Sequence, residues 1–134
     1  YHATMPTDGL KAFAEAMRET KELGFTDACA AQEELGAKVR ELLSSHGIKS
    51  LAAPGFQAPS VVVSYTDDAG MHNGKKFAEL GMQIAAGVPL QCDEAEDFQT
   101  FRIGLFGLDK LKNVDRTVTS LAKTLNKMSL EAVA

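Results

Sequence analysis

Phe101, Ile103 and Leu105 recur at a spacing of two, and this alternation constrains the chain more than any other feature of its sequence. In a strand the three share one face, and Arg102, Gly104 and Phe106 share the other. The first face reads as core. The second sets an arginine beside a residue with no side chain, which leaves a small molecule room to reach the guanidinium. A planar fork of donors matches a carboxylate or phosphate through two parallel hydrogen bonds, so Arg102 is a candidate clamp for an acid group. Two plainer roles stay open: an arginine that caps a sheet edge, and one paired with a local carboxylate.

The remaining elements follow from periodicity and punctuation. Pro6, Thr7 and Asp8 mark a helix start, with Leu10, Phe13, Ala14 and Met17 at helical spacing and Gly24 as its stop. Thr26 is expected to cap the next helix, with Phe25 packing back on its first turn. Leu35, Val39, Leu42 and Leu43 draw one stripe along that helix, which should be the longest or nearly so and ends at His46-Gly47. Residues 48–53 are a short strand candidate broken by Pro54-Gly55. Val61-Val62-Val63-Ser64-Tyr65 is largely β-branched or aromatic and reads as a strand. A polar turn over 66–70 precedes a short helix that carries Phe77 and Leu80 inward and stops at Gly81. Residues 83–86 give a brief strand and 88–99 a loop with an acidic run. After the Arg102 strand, Asn113 opens a long amphipathic helix bearing Val114, Val118, Leu121, Leu125 and Met128.

The order α-α-β-β-α-β-β-α predicts an α+β fold: a small, mostly antiparallel sheet of three to four strands with helices packed on one face. So few helices cannot cover both faces of the sheet. The other face must meet solvent, a partner chain or a further domain, and the Arg102 face is the natural choice. A chain of 134 residues makes one domain with one core, here 1–134 with a lead-in segment over 1–6 and a frayed tail over 129–134. The first residue is tyrosine with no methionine before it, so the expectation is a chain cut from something longer.

Composition and failed motifs exclude several classes. A net charge of −4 with no basic stripe argues against nucleic acid. No run of about 18 apolar residues is present and no basic segment leads into an apolar one, so neither a membrane span nor a signal peptide is read. Cys29 and Cys92 stand far apart and outside any Cys-x-x-Cys pattern. Two lone thiols suit a reducing cytoplasm, with a single long-range bridge left open. Gly70-Met71-His72-Asn73-Gly74-Lys75-Lys76 has the wrong glycine spacing for a phosphate loop and lacks its final Ser or Thr, so it reads as a solvated helix start. His2, His46 and His72 share no metal spacing and read as surface or cap residues. Asp93-Glu94-Ala95-Glu96-Asp97 lacks the pattern of a calcium loop and reads as an exposed acidic turn. No nucleophile with a recognisable base is present.

The stretch Arg102-Ile103-Gly104-Leu105-Phe106-Gly107, followed by Asn113-Val114-Asp115-Arg116 and a leucine-spaced helix, resembles the end of class V aminotransferases of the alanine-glyoxylate and serine-pyruvate type. These are fold-type I pyridoxal-phosphate enzymes. The opening Tyr1-His2-Ala3-Thr4-Met5-Pro6 resembles the Tyr-His-x-Thr-x-Pro that leads into the small domain of the same family. The two motifs stand at the two ends of the chain in the family's order, so the resemblance covers essentially all of it.

What the resemblance implies is a C-terminal small domain of an aminotransferase that moves an amino group between a small amino acid and a 2-keto acid. Arg102 would hold the substrate α-carboxylate. Tyr1 and Thr4 match positions that reach the cofactor phosphate of the neighbouring subunit in a homodimer. The Schiff-base lysine lies upstream in the family, in a cofactor-binding domain that this chain lacks, so no catalytic residue and no metal is expected here and the isolated chain is expected to be inactive. Lys75 and Lys76 on a helix, and Lys110 and Lys112 beyond the strand, are not sensible replacements. The segment Ala86-Gly87-Val88-Pro89-Leu90-Gln91 departs from the glycine-rich approach common in the family, which touches side-chain specificity rather than the clamp. The competing reading is a free-standing regulatory or small-acid-binding α+β module without catalytic activity.

Overall fold

Three strands, Val61–Tyr65 (β1), Ala85–Ala86 (β2) and Thr100–Gly104 (β3), form one antiparallel sheet in the order β1-β3-β2 in the computed structural model of the chain, which describes residues 4–131. The Arg102 strand is thus the central one. Val62 stands opposite Ile103 and Ser64 opposite Phe101, and these residues make the buried face of the sheet. Val63 and Ala85 flank Arg102 on the other face.

Helices cover the buried face. Phe25–Ser45 (α2), the longest helix at 21 residues, presents Leu35, Val39 and Leu43, and Val114–Glu131 (α6) presents Leu121 and Leu125. Phe77 enters the same cluster, with its ring centroid 5.6 Å from that of Phe101. Lys38 on α2 reaches Asp115 of α6 at 2.7 Å and Glu34 at 2.6 Å, and those two carboxylates raise its pKa. The pair is exposed, so it orients the helices more than it stabilises them. The α+β class, the antiparallel sheet and the covering of one face agree with the sequence reading.

Local differences have local causes. Residues 48–53 make only a single bridge, Ser50 to Ser64, because the Ser50 hydroxyl donates to the Ala52 carbonyl at 3.1 Å and bends the chain out of register. Thr26 does not cap α2. The first helix, Thr7–Leu23 (α1), ends at Gly24, whose φ of 95° turns the chain so sharply that α2 starts at Phe25, and the Gly24 carbonyl accepts from Ala28 at 2.9 Å. Phe25 is exposed rather than packed back. The single helix expected around Phe77 is two, Ala69–His72 (α3) and Lys75–Glu79 (α4), because the Asn73 side chain takes the Lys75 amide at 2.9 Å and interrupts the turn. A short helix, Leu108–Leu111 (α5), fills the connection that the sequence left unassigned. Helix α6 runs through Glu131, and 132–134 lie outside the described residues.

Candidate functional site

Arg102 lies on the uncovered face, half-buried between two strands, because the alternation of β3 sends Phe101 and Ile103 into the core and leaves the intervening residue no other direction. Its Nε donates to the Ala86 carbonyl at 2.9 Å. Among the described residues, neither terminal nitrogen has a protein acceptor and no carboxylate pairs with the group. The guanidinium is therefore braced along one side and open at its tip, a geometry that leaves both Nη atoms for one incoming anion. Gly104 keeps the neighbouring position free of a side chain, and the exposed Phe106 ring lies about where a Cβ would make contact, at 3.4 Å. An arginine, a bare backbone position and an aromatic ring thus share one stretch of the open face.

The brace is itself held in place. Gly87, directly after β2, donates its amide to the His72 carbonyl at 3.1 Å, and His72 Nδ1 lies 2.7 Å from the Thr100 carbonyl at the start of β3. Helix α3 thereby pins β2 against β3 and fixes the Ala86 carbonyl where Nε needs it. His72 is a structural tie rather than a surface residue. His46 is a cap: its ring reaches the Leu42 carbonyl at 3.0 Å and Asn126 Oδ1 at 3.0 Å.

Of the other residues singled out from sequence, Thr4 is exposed on the lead-in to α1, and Tyr1 and His2 lie outside the described residues. The stretch from Gly70 to Lys76 is no phosphate cradle, since the Asp68 carboxylate accepts from the amides of Gly70 and Met71 at 2.8 and 3.0 Å. Lys76 pairs with the same carboxylate and is the main cause of its lowered pKa. Lys110 Nζ donates to the Phe106 carbonyl at 2.7 Å. Cys29 and Cys92 are both free and exposed. Among the described residues no cluster of side chains could hold a metal ion, and no helix is long and apolar enough to cross a membrane.

The acidic loop has an order that its sequence does not announce. Glu94 accepts the amides of Leu90, Gln91 and Cys92 at 2.6, 2.8 and 2.7 Å, and Gln91 and Asp93 adopt left-handed φ values of 59° and 61° to allow it. The Cys92 and Gln91 amides lead in holding the Glu94 carboxyl down, from 4.5 to about 2. Because the folded value is the depressed one, the hold is complete above 4.5 and is lost as pH falls through about 2. The Gln91 and Cys92 amide resonances should therefore shift with a midpoint near 2 in an NMR titration. A midpoint at the ordinary carboxylate value would show that the loop does not grip the side chain.

An antiparallel three-stranded sheet with helices on one face and an open central arginine on the other defines an α+β domain. Solved structures with the same fold include two aminotransferases. The alanine–glyoxylate aminotransferase of Nostoc sp. superposes with a TM-score of 0.70 at 19% identity over 93% of this chain and 33% of that one. The ureidoglycine–glyoxylate aminotransferase of Bacillus subtilis superposes with a TM-score of 0.73 at 21% identity over 99% of this chain and 33% of that one. This chain therefore has the fold of one part of those proteins and spans about a third of their length. No protein-family model matches the sequence, and no curated protein matches it.

Proposed function

We propose that this chain is the C-terminal small domain of a class V, pyridoxal-phosphate-dependent aminotransferase, and that its Arg102 binds the α-carboxylate of a small amino acid or 2-keto acid. The observation that carries the proposal is the guanidinium itself, braced at Nε by Ala86 and open at both Nη atoms on the uncovered face. Two solved aminotransferases with the same fold over a third of their length support it from outside. Lys75, Lys76 and Lys110 are engaged with Glu79, Asp68 and the Phe106 carbonyl, and the proposal leaves the Schiff-base lysine to the part of the parent outside these residues. When bound in the parent, pyridoxal phosphate supplies the electron sink that loosens the substrate Cα–H bond.

The work of this chain is positional. Arg102 takes the carboxylate end-on and fixes the rotation of Cα about it, which converts a loosely held substrate into one with its reacting bond pre-aligned. Phe106 and the bare Gly104 border the carboxylate and shape the space beside it. Thr4 and Tyr1 are proposed to reach the cofactor phosphate of the neighbouring subunit of a cytoplasmic homodimer.

The test compares the full-length parent with the 134-residue chain. The parent should turn yellow with pyridoxal phosphate and transfer amino groups from alanine or serine to glyoxylate or pyruvate. The chain alone should do neither, and calorimetric titration with alanine, serine and pyruvate should show weak binding or none. Micromolar binding of a small acid by the chain alone would instead favour a free-standing binding module.

A further inference from the structure

Helix α1 is as amphipathic as α6, yet the two are used differently. Leu121 and Leu125 of α6 are buried in the core, whereas α1 has no buried residue and every position from Thr4 to Glu19 is exposed. Only the last turn is partly covered, at Thr20 and Leu23, where α1 meets α2. Leu10, Phe13 and Met17 nonetheless lie on one side of the helix and are 49%, 64% and 55% exposed. Met5 ahead of the helix and Phe25 after it are also exposed, at 66% and 62%. The charged residues gather on another side, where Arg18 pairs with Glu15 and Glu22 as a solvated face does.

A helix of 17 residues standing free in water is marginal, since helices draw most of their stability from packing an amphipathic face. An exposed apolar helix face of this kind reads as an interaction site. The ureidoglycine–glyoxylate aminotransferase structure favours one occupant: 99% of this chain is superposed there, so a counterpart of α1 exists within a chain about three times as long. Two thirds of that longer chain lies outside the match and is available to cover the helix.

We infer that the Leu10-Phe13-Met17 face of α1, with Met5 and Phe25, is the docking surface for the part of the parent polypeptide outside these residues, its cofactor-binding domain in the reading above. The inference rests on the portion of that reading that makes this chain one domain of a longer protein. Docking covers the apolar stripe and leaves the Arg18 face in solvent. It also ties the domain that carries Arg102 to its neighbour at a second place, so that the guanidinium approaches the rest of the site along a fixed path.

Hydrogen exchange by mass spectrometry on the full-length parent and on the 134-residue chain tests this. Amides of α1 should exchange at least about a hundredfold more slowly in the parent, while those of β3, already in the core, change little. The double substitution Phe13→Asp and Met17→Asp should return α1 in the parent to the rate seen in the chain alone. The same substitutions should leave the thermal unfolding of the isolated chain unchanged, which separates lost docking from misfolding. Equal exchange in both proteins, or a double variant with no effect in the parent, would overturn the inference. So would a dimer of the isolated chain that the double variant abolishes and that protects α1 as fully as the parent does, since the face would then belong to a second copy. Transamination is read separately: a parent that protects α1 but transfers no amino group keeps the docking surface and loses the aminotransferase reading, and the reverse result loses only the surface.

Discussion

On the proposed function, a full-length parent carrying Arg102→Lys should lose between about tenfold and somewhat over a hundredfold in kcat/KM for amino-acid and keto-acid substrates. The range follows from the roughly 1.5 to 3 kcal/mol that a hydrogen bond to a charged group contributes. Lysine keeps the positive charge, so a purely Coulombic role would survive the change. It cannot keep the geometry: one ammonium cannot donate to the Ala86 carbonyl and present two parallel donors to a carboxylate at once. The loss should be confined to substrates with a carboxylate, and an amine lacking that group should react equally poorly with both proteins. Unfolding should change little, by about 1 kcal/mol, because the residue is half-exposed and makes a single hydrogen bond to the protein. Wild-type kcat/KM in the lysine variant would remove Arg102 from the site.

Gly87→Ala should be the most damaging small substitution in the fold. A Cβ at Gly87 would stand 2.0 Å from the Thr100 carbonyl oxygen and 2.7 Å from its carbon and hydroxyl. That carbonyl cannot withdraw, since it belongs to the central strand and is already engaged by His72 at 2.7 Å. Strand β2 has to move instead, and overpacking this close costs about 3 kcal/mol, the upper end of the usual range. A fall in Tm of roughly 10 °C is expected for a domain of this size. The displacement also carries the Ala86 carbonyl away from Arg102, so the variant should lose kcat/KM even below its melting temperature. A Gly87→Ala protein with unchanged Tm would show that β2 yields freely and braces nothing.

These two expectations differ in how far the sequence discloses them. Arg102 was legible because period two is a property of the residues alone: Phe101, Ile103 and Leu105 are buried where the alternation puts them, and the arginine between them faces out. The brace was not, because its acceptor is a backbone carbonyl and carries no side-chain signature. The same holds for Glu94, which read as one member of an acidic turn but takes three amides of its own loop. Element boundaries failed where a short polar side chain competes with the backbone. Ser50 reduced an expected strand to one bridge, and Asn73 cut an expected helix in two. Nor does spacing tell a stripe that is buried from one that waits for a partner: Leu10, Phe13 and Met17 obey the same rule as Leu121 and Leu125, with opposite results.

The two margins of the sheet set how the separated domain behaves in concentrated solution. On the β1 side, Arg40 donates to the Val61 carbonyl, the Leu51 amide takes the Val63 carbonyl and the Lys49 carbonyl takes the Tyr65 amide, while β2 on the far side is two residues long. Strand-by-strand growth into fibrils meets an engaged margin on one side and a strand of only two residues on the other, so it is disfavoured. Cloudiness on storage would then trace to oily helix contacts, which mild detergent disperses and which seeding with preformed fibres does not hasten.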